Sequence, residues 1–315
     1  MMLSSWKKAY ALGCLLACGL FGCAEARPAA ASSVPTQHQS LASREGTSVG
    51  IKSAGLEGGG ASDGRSCQSG PRRGPLTFSE EFDSALQLPG PKFLTWYKRW
   101  GNLRTLVGNK EQQVYLDPEQ ASELEATAPL TFGNGVLRIT ADHAPAKAKR
   151  DHNADYTSGL ITTEESFVQQ YGVFEMRAKL PRGRGLWPAF WMVAETHDAN
   201  YEIDIMEVLG HEPARVYHSL HGPDQTYLVQ KESRGVDTAE GFHTYAVEWS
   251  PEAICFYVDG IFTEQAPNRF SIPMYMIANL AVGGSWPGAP DAQTGFPATM
   301  EVDYIRAYQL AEEAL

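Results

Sequence analysis

One pattern recurs along this chain: a short run in which apolar and polar residues alternate, closed by turn residues. Gly135-Val136-Leu137-Arg138-Ile139-Thr140 alternates, as does Gly172-Val173-Phe174-Glu175-Met176-Arg177-Ala178-Lys179-Leu180. Thr244-Tyr245-Ala246-Val247-Glu248-Trp249 and Ile254-Cys255-Phe256-Tyr257-Val258 follow, the second closed by Asp259-Gly260, and Met300 to Tyr308 alternates again. A strand sends successive side chains to opposite faces, so each run reads as half-buried sheet. Many such runs at short spacing, with no long helical periodicity, predict an all-β sandwich rather than a helical or βαβ fold. The sequence contains no internal repeat.

The N-terminus has a different texture. Lys7 and Lys8 precede an apolar run from Ala9 to Leu20, which is too short for a stable bilayer span and reads as an export signal over 1–26. Two processing sites compete. Leu20-Phe21-Gly22-Cys23 reads as a lipobox that would leave Cys23 acylated and membrane-anchored; Ala24-Glu25-Ala26 fits cleavage to a freely secreted form. Residues 27–75 lack Phe, Tyr and Trp and are rich in Ala, Ser, Gly and Pro. Such a segment buries too little apolar surface to offset its ordering entropy, so a disordered linker is expected there and a single domain over 76–315.

Charge narrows the choice of partner. The chain carries a net −11; with +2 in residues 1–23 and +2 in 24–75 set aside, residues 76–315 hold −15. A domain this acidic repels nucleic acid and polyanionic sugars, and no basic stripe is present to reverse that. A neutral polymer is the expected partner, acted on by a monomer, with no nucleic acid involved. Of five cysteines, Cys14, Cys18 and Cys23 belong to the signal, leaving Cys67 and Cys255. In an exported chain a Cys67–Cys255 bridge and two separate thiols are both compatible with the sequence.

The segment richest in chemistry is Tyr201-Glu202-Ile203-Asp204-Ile205-Met206-Glu207-Val208. In a regular strand Glu202 and Asp204 share one face while Ile203 and Ile205 enter the core. Glu207 has the wrong parity and would be buried unpaired, at high cost. One extra residue, a β-bulge at about Ile205-Met206, returns Glu207 to the face of the other acids and packs Met206 with the isoleucines. Three acids on one face cannot all ionise alike, so one stays protonated near neutrality. One ionised and one protonated carboxyl is the division that glycoside cleavage requires. A solvated acidic strand would not need so clean an apolar alternation, and calcium loops of the EF-hand type have a different spacing.

The neighbouring residues suit a sugar. Trp187 and Trp191 stand four apart just upstream of the acids, and Trp286 follows Gly283-Gly284-Ser285. Indole faces stack on the apolar faces of sugar rings, and the N–H reaches hydroxyls. Trp96, Trp100 and Trp249 read as core. His221 is a candidate partner for a sugar at the point of cleavage.

Together these segments resemble glycoside hydrolase family 16, in its laminarinase-like branch. The resemblance rests on F-S-E-E-F-D at 78–83, N-K-E-Q-Q-V-Y at 109–115, Y-T-S-G-L-I at 156–161 and G-L-W-P-A-F-W-M at 185–192. It continues through E-I-D-I-M-E at 202–207, F-H-T-Y-A-V-E-W at 242–249, N-L-A-V-G-G-S-W-P-G at 279–288 and V-D-Y-I-R-A-Y-Q at 302–309. It implies a concanavalin-like β-jelly roll with a sugar cleft on its concave sheet. It also implies Glu202 as nucleophile, Glu207 as acid/base and Asp204 as the residue that orients and tunes Glu202. Asn109, Trp187, Trp191, His221 and Trp286 match substrate contacts. A structural calcium near Glu81 and Asp303 is implied too, with no cofactor required for catalysis. In this family the E-x-D-x-x-E form accompanies β-1,3-glucanases and some galactanases, and the expected reaction is hydrolysis of β-1,3- or mixed β-1,3/1,4-glucan. Transglycosylation, or cleavage of a galactan or bacterial exopolysaccharide, is the alternative within the fold, and a non-catalytic sugar-binding protein the alternative outside it. Leu160 stands where many laminarinases have arginine, so one sugar contact is expected to be missing.

Overall fold

The computed structural model describes residues 67–95, 104–196, 201–222 and 228–311. The export signal, the lipobox at Cys23, most of the linker, Trp96 and Trp100 lie outside the described residues. Among the described residues the strands are β1 (Arg73–Glu80), β2 (Gln113–Tyr115), β3 (Leu130–Gly133), β4 (Val136–His143), β5 (Tyr156–Ser158), β6 (Leu160–Thr162), β7 (Gly172–Lys179) and β8 (Leu186–Ala194). They continue as β9 (Glu202–Glu207), β10 (Arg215–His221), β11 (Leu228–Arg234), β12 (His243–Trp249), β13 (Ala253–Val258), β14 (Ile261–Pro267), β15 (Met274–Val282) and β16 (Ala298–Leu310). Two short helices, α1 (Pro118–Glu123) and α2 (Ala146–His152), sit in connections. All five alternating runs are strands, as the period of two requires.

The strands form two sheets. One has six strands in the order β11-β10-β9-β8-β15-β6; the other has ten, with β14-β13-β12-β7-β16-β4-β5-β2 in line, β1 beside β16 and β3 beside β4. Between them lies the main core, which takes every second residue of the facing strands: Leu186, Phe190 and Met192 from β8, Ile203 from β9, Val216 and Leu220 from β10, and Phe174 and Met176 from β7. This is a jelly-roll sandwich, and its core spacing follows from alternation alone. The six-stranded sheet is apolar on part of its other face as well. Tyr115, Leu160, Ala189, Trp191, Val193, Tyr275 and Ile277 form a second cluster there, with Leu106 packed on it. Leu160 is fully buried in that cluster, so it closes one end of the sheet face rather than lining it.

The fold starts earlier than residue 76. A 3-10 turn at Cys67–Ser69 and the first residues of β1 fall in the stretch that composition assigns to the linker. Their ties are covalent and ionic. Cys67 is bridged to Cys255 on β13, with Cα atoms 6.1 Å apart. Arg72 donates from its backbone N to Glu248 at 2.7 Å and from its guanidinium at 2.6 Å, and Arg73 pairs with buried Glu175. Aromatic content registers none of these, which is why composition places the boundary too late.

Candidate active site

β9 carries the expected bulge. Against β10, Asp204 faces Ser219 and Glu207 faces Tyr217, so three steps on β9 meet two on β10. Against β8, Asp204 faces Trp191 and Met206 faces Phe190, which places the extra residue at Ile205. Ile203, Ile205 and Met206 are all fully buried in the main core. Glu207 is thereby turned outward to join Glu202 and Asp204. The bulge falls within the Ile205-Met206 pair that the parity conflict points to.

The three acids line a cleft of about 630 Å³ on the outer face of the six-stranded sheet. Its walls include Asn109, Trp187, Trp191, His221 and Trp286, so every expected sugar contact is brought to one place. The environments of the acids differ. The Glu202 side chain is one-third exposed, whereas Asp204 and Glu207 are buried. Glu207 accepts a hydrogen bond from Trp187 Nε1 at 3.0 Å and one from Ser219 Oγ at 3.4 Å. His221 Nε2 stands 3.0 Å from Asp204 Oδ2 and 3.7 Å from Glu202 Oε1.

Those surroundings set the protons. Burial holds the Glu207 carboxyl well above the usual range; the charges of Asp204 and Glu202 push the same way, and the Trp187 N–H and His221 oppose. Asp204 is also raised, to about 8, by burial, with its hydrogen bond to Glu202 working against the shift. Asp204 and Glu202 are thus joined by a hydrogen bond across the strand face. The arrangement therefore offers an accessible carboxylate, a neighbour that orients it, and a buried acid that keeps its proton.

The aromatic residues divide their work. Trp286 is half-buried and meets Trp187 edge-on at 5.5 Å between ring centroids and Tyr217 at 4.7 Å. It is presented by the bend after β15, where Gly284 has φ +124° and a Cβ would come 3.2 Å from Asn109 O and 3.4 Å from the Trp187 ring. Ser285 N donates to Asn109 O at 2.8 Å, which fastens that bend to the 107–109 turn. Trp191 is more deeply set, and its Nε1 donates to Asn279 Oδ1 at 2.8 Å. The Trp187 N–H is likewise committed, to Glu207, so these two indoles offer faces rather than donors. Trp249 is fully buried, in keeping with its core reading.

Several residues in or beside the cleft are not singled out by the sequence as contacts. Asn279 donates to the Tyr115 hydroxyl at 2.9 Å while it holds Trp191; its signal is a lone amide in the apolar run 274–282. Glu111 accepts from Gln113 Nε2 at 2.6 Å, from Asn109 Nδ2 at 3.2 Å and from Leu106 N at 3.3 Å, and burial raises its carboxyl. Tyr217 donates to Glu212 at 2.8 Å and accepts from Arg215 at 3.0 Å, which props the ring against Trp286.

The calcium expectation does not fit the side chains named for it. Both Glu81 oxygens accept from Arg306, at 2.8 and 2.6 Å, and Asp303 accepts from Arg177 at 2.5 Å. Carboxylates committed to guanidinium groups are poor ligands for a hard cation, because the guanidinium charge repels it. Among the described residues the one cluster with metal-ligand spacing is Glu202, Asp204 and His221, inside the cleft itself.

Comparison with known proteins agrees with this geometry. The model of glycosyl hydrolases family 16 matches residues 103–306. The chain is 39% identical over 242 residues to the endo-1,3-1,4-beta-glycanase ExsH of Rhizobium meliloti, covering 74% of this chain and 51% of that protein. It thus spans about half the length of that relative. A beta-glucanase of Rhodothermus marinus is 36% identical, covering 75% of this chain and 86% of its own length. The laminarinase catalytic domain of Thermotoga maritima superposes with a TM-score of 0.65 at 34% identity, covering 74% of this chain and 97% of that one. This chain belongs to glycosyl hydrolases family 16.

Proposed function

We propose that the chain is a retaining, endo-acting glycoside hydrolase that cuts β-1,3- or mixed β-1,3/1,4-glucan. The observation that carries the proposal is the bulge at Ile205, which sets a buried Glu207, its pKa raised by that burial, beside an accessible Glu202. Glu207 gives its proton to the glycosidic oxygen as that bond breaks, and the Glu202 carboxylate attacks the anomeric carbon to form a glycosyl-enzyme. Glu207, now ionised, takes a proton from water; the water attacks the same carbon and Glu202 leaves. Asp204 holds Glu202 in line, and the scheme uses side chains and water alone. Trp286 and the faces of Trp187 and Trp191 supply stacking surface for successive sugars, with His221 and Asn109 as polar contacts. The relatives described above, a β-glycanase, a β-glucanase and a laminarinase, favour glucan as the polymer.

Reducing-sugar release from laminarin, lichenan, xyloglucan and agarose tests the reading. Release from laminarin, with or without lichenan, is the expected result. Release from agarose alone would move the substrate to a galactan, and binding without release would make the protein a sugar-binding module. We also propose that residues 1–26 export the chain and that Cys23 anchors it. Cys23→Ala then moves the protein from the membrane fraction to the soluble one; a soluble distribution for both forms would favour cleavage after Ala26.

A further inference from the structure

His218 lies on the opposite side of β10 from the cleft. It is fully buried, and its ring stacks on Phe256 of the other sheet at 4.7 Å and 19°. Its neighbours on β10, Tyr217 and Ser219, face Glu207 and Asp204. His218 therefore stands opposite the stretch of β9 that holds one residue too many. Its Nδ1 is 2.7 Å from Ile205 O, the carbonyl of the extra residue itself.

We infer that His218 is a positioning residue: its Nδ1–H holds the Ile205 carbonyl, fixes the bulge, and so places the Glu207 carboxyl on the cleft side of β9. This deepens the proposed hydrolase reading and rests on it. A carbonyl only accepts, so Nδ1 carries the proton and Nε2 is the acceptor. Ser233 Oγ and Thr263 Oγ1 stand 3.3 Å from Nε2; the Thr263 hydroxyl is shared with Phe256 O at 3.0 Å, which leaves Ser233 as the donor. Both ring nitrogens are thus satisfied with the ring neutral, and burial pushes its pKa down to about 4, so the donor is constant across the working range. A bulge breaks the ladder locally and needs another partner for the freed backbone group. Without that partner β9 is free to slip towards regular alternation, which turns Glu207 to the core and Met206 to the cleft. Glu202 and Asp204 precede the bulge and keep their places.

That asymmetry gives the test. His218→Phe keeps the ring stack on Phe256 and removes the donor; His218→Asn puts an amide N–H where Nδ1 stands; His218→Gln puts it near Nε2 instead. On polysaccharide, His218→Phe loses about 100-fold in kcat, the size expected for a misplaced general acid, with KM little changed. His218→Asn stays within about threefold of wild type, and His218→Gln falls between them. On an aryl glycoside with a good leaving group, His218→Phe forms the glycosyl-enzyme from Glu202 in a burst and then stalls. Azide speeds turnover by attacking the anomeric carbon as Glu202 leaves, giving a glycosyl azide of retained configuration. A purely structural loss would slow both steps alike and resist azide. Wild-type kcat in His218→Phe, or equal loss of both steps, overturns the proposal. Should His218→Phe fail to fold, equal activity of the Asn and Gln variants overturns it. Failure of the hydrolase reading itself is distinct, because Glu207→Gln would then leave the same assays unchanged.

Discussion

Glu207 is held by two opposing influences that can be varied separately. Burial and the neighbouring acids raise its pKa, while the Trp187 N–H stabilises the carboxylate and lowers it. Trp187→Phe removes the donor and keeps most of the aromatic face, so the alkaline limb of kcat/KM moves to higher pH; a limb that moves down contradicts the assignment. Stability responds to the same proton. Because the folded-state pKa lies above the unfolded value of about 4.3, neither state is ionised at lower pH and no stability is lost there. As pH rises towards the folded pKa, only the unfolded chain ionises freely, and the folded state loses about 1.4 kcal/mol per pH unit. Glu207→Gln never ionises and keeps both hydrogen bonds, its Oε1 accepting from Trp187 and its Nε2 donating to Ser219. The variant is therefore expected to melt at nearly the wild-type temperature at pH 4 and several degrees higher at pH 8, since a domain of this size gains roughly 3 °C per kcal/mol. A gap that closes with rising pH would show that Glu207 is ionised in the fold.

At the scale of elements, some features were legible in the sequence and others could not be. The bulge in β9 was legible because Glu207, after the core-facing Ile203 and Ile205, has the wrong parity, a contradiction that one extra residue resolves. His218 was not, since its role depends on a carbonyl of another strand and leaves no pattern of its own. Nor was the start of the fold: Cys67, Arg72 and Arg73 attach to Cys255, Glu248 and Glu175 by bonds between residues far apart in the chain. The bridge joins the 3-10 turn to β13 of the ten-stranded sheet, while the cleft belongs to the six-stranded one. Cys67→Ala therefore lowers the stability, by about 2–4 kcal/mol as disulfide removal usually does, and leaves kcat on polysaccharide within twofold. Thermal melts and rates on the same preparation check this; a large fall in kcat at full folding would mean the two sheets are coupled. The surroundings of the two acids named for calcium were not legible for a related reason, because the sequence shows Glu81 and Asp303 but not that Arg306 and Arg177 face them.

For the whole molecule, an all-β sandwich was available from alternation and the jelly roll with its cleft only through the resemblance, while the acidic balance of residues 76–315 pointed away from polyanions towards a neutral glycan. The identity of the polymer was not available, since it depends on the shape of a cleft assembled from the 107–109 turn, β8, β9, β10 and the bend that carries Trp286. The central claim is that Glu202 and Glu207 act in turn on one anomeric carbon, and the stereochemistry of azide rescue tests it most directly. Both Glu202→Ala and Glu207→Ala are expected to lose most activity on polysaccharide. On an activated aryl β-glycoside, Glu207→Ala still forms the glycosyl-enzyme, and azide releases it as the β-glycosyl azide. Glu202→Ala has no nucleophile, so azide attacks from the opposite face and gives the α product. The opposite pairing of variant and product would exchange the two roles, and undiminished hydrolysis in both variants would contradict the account.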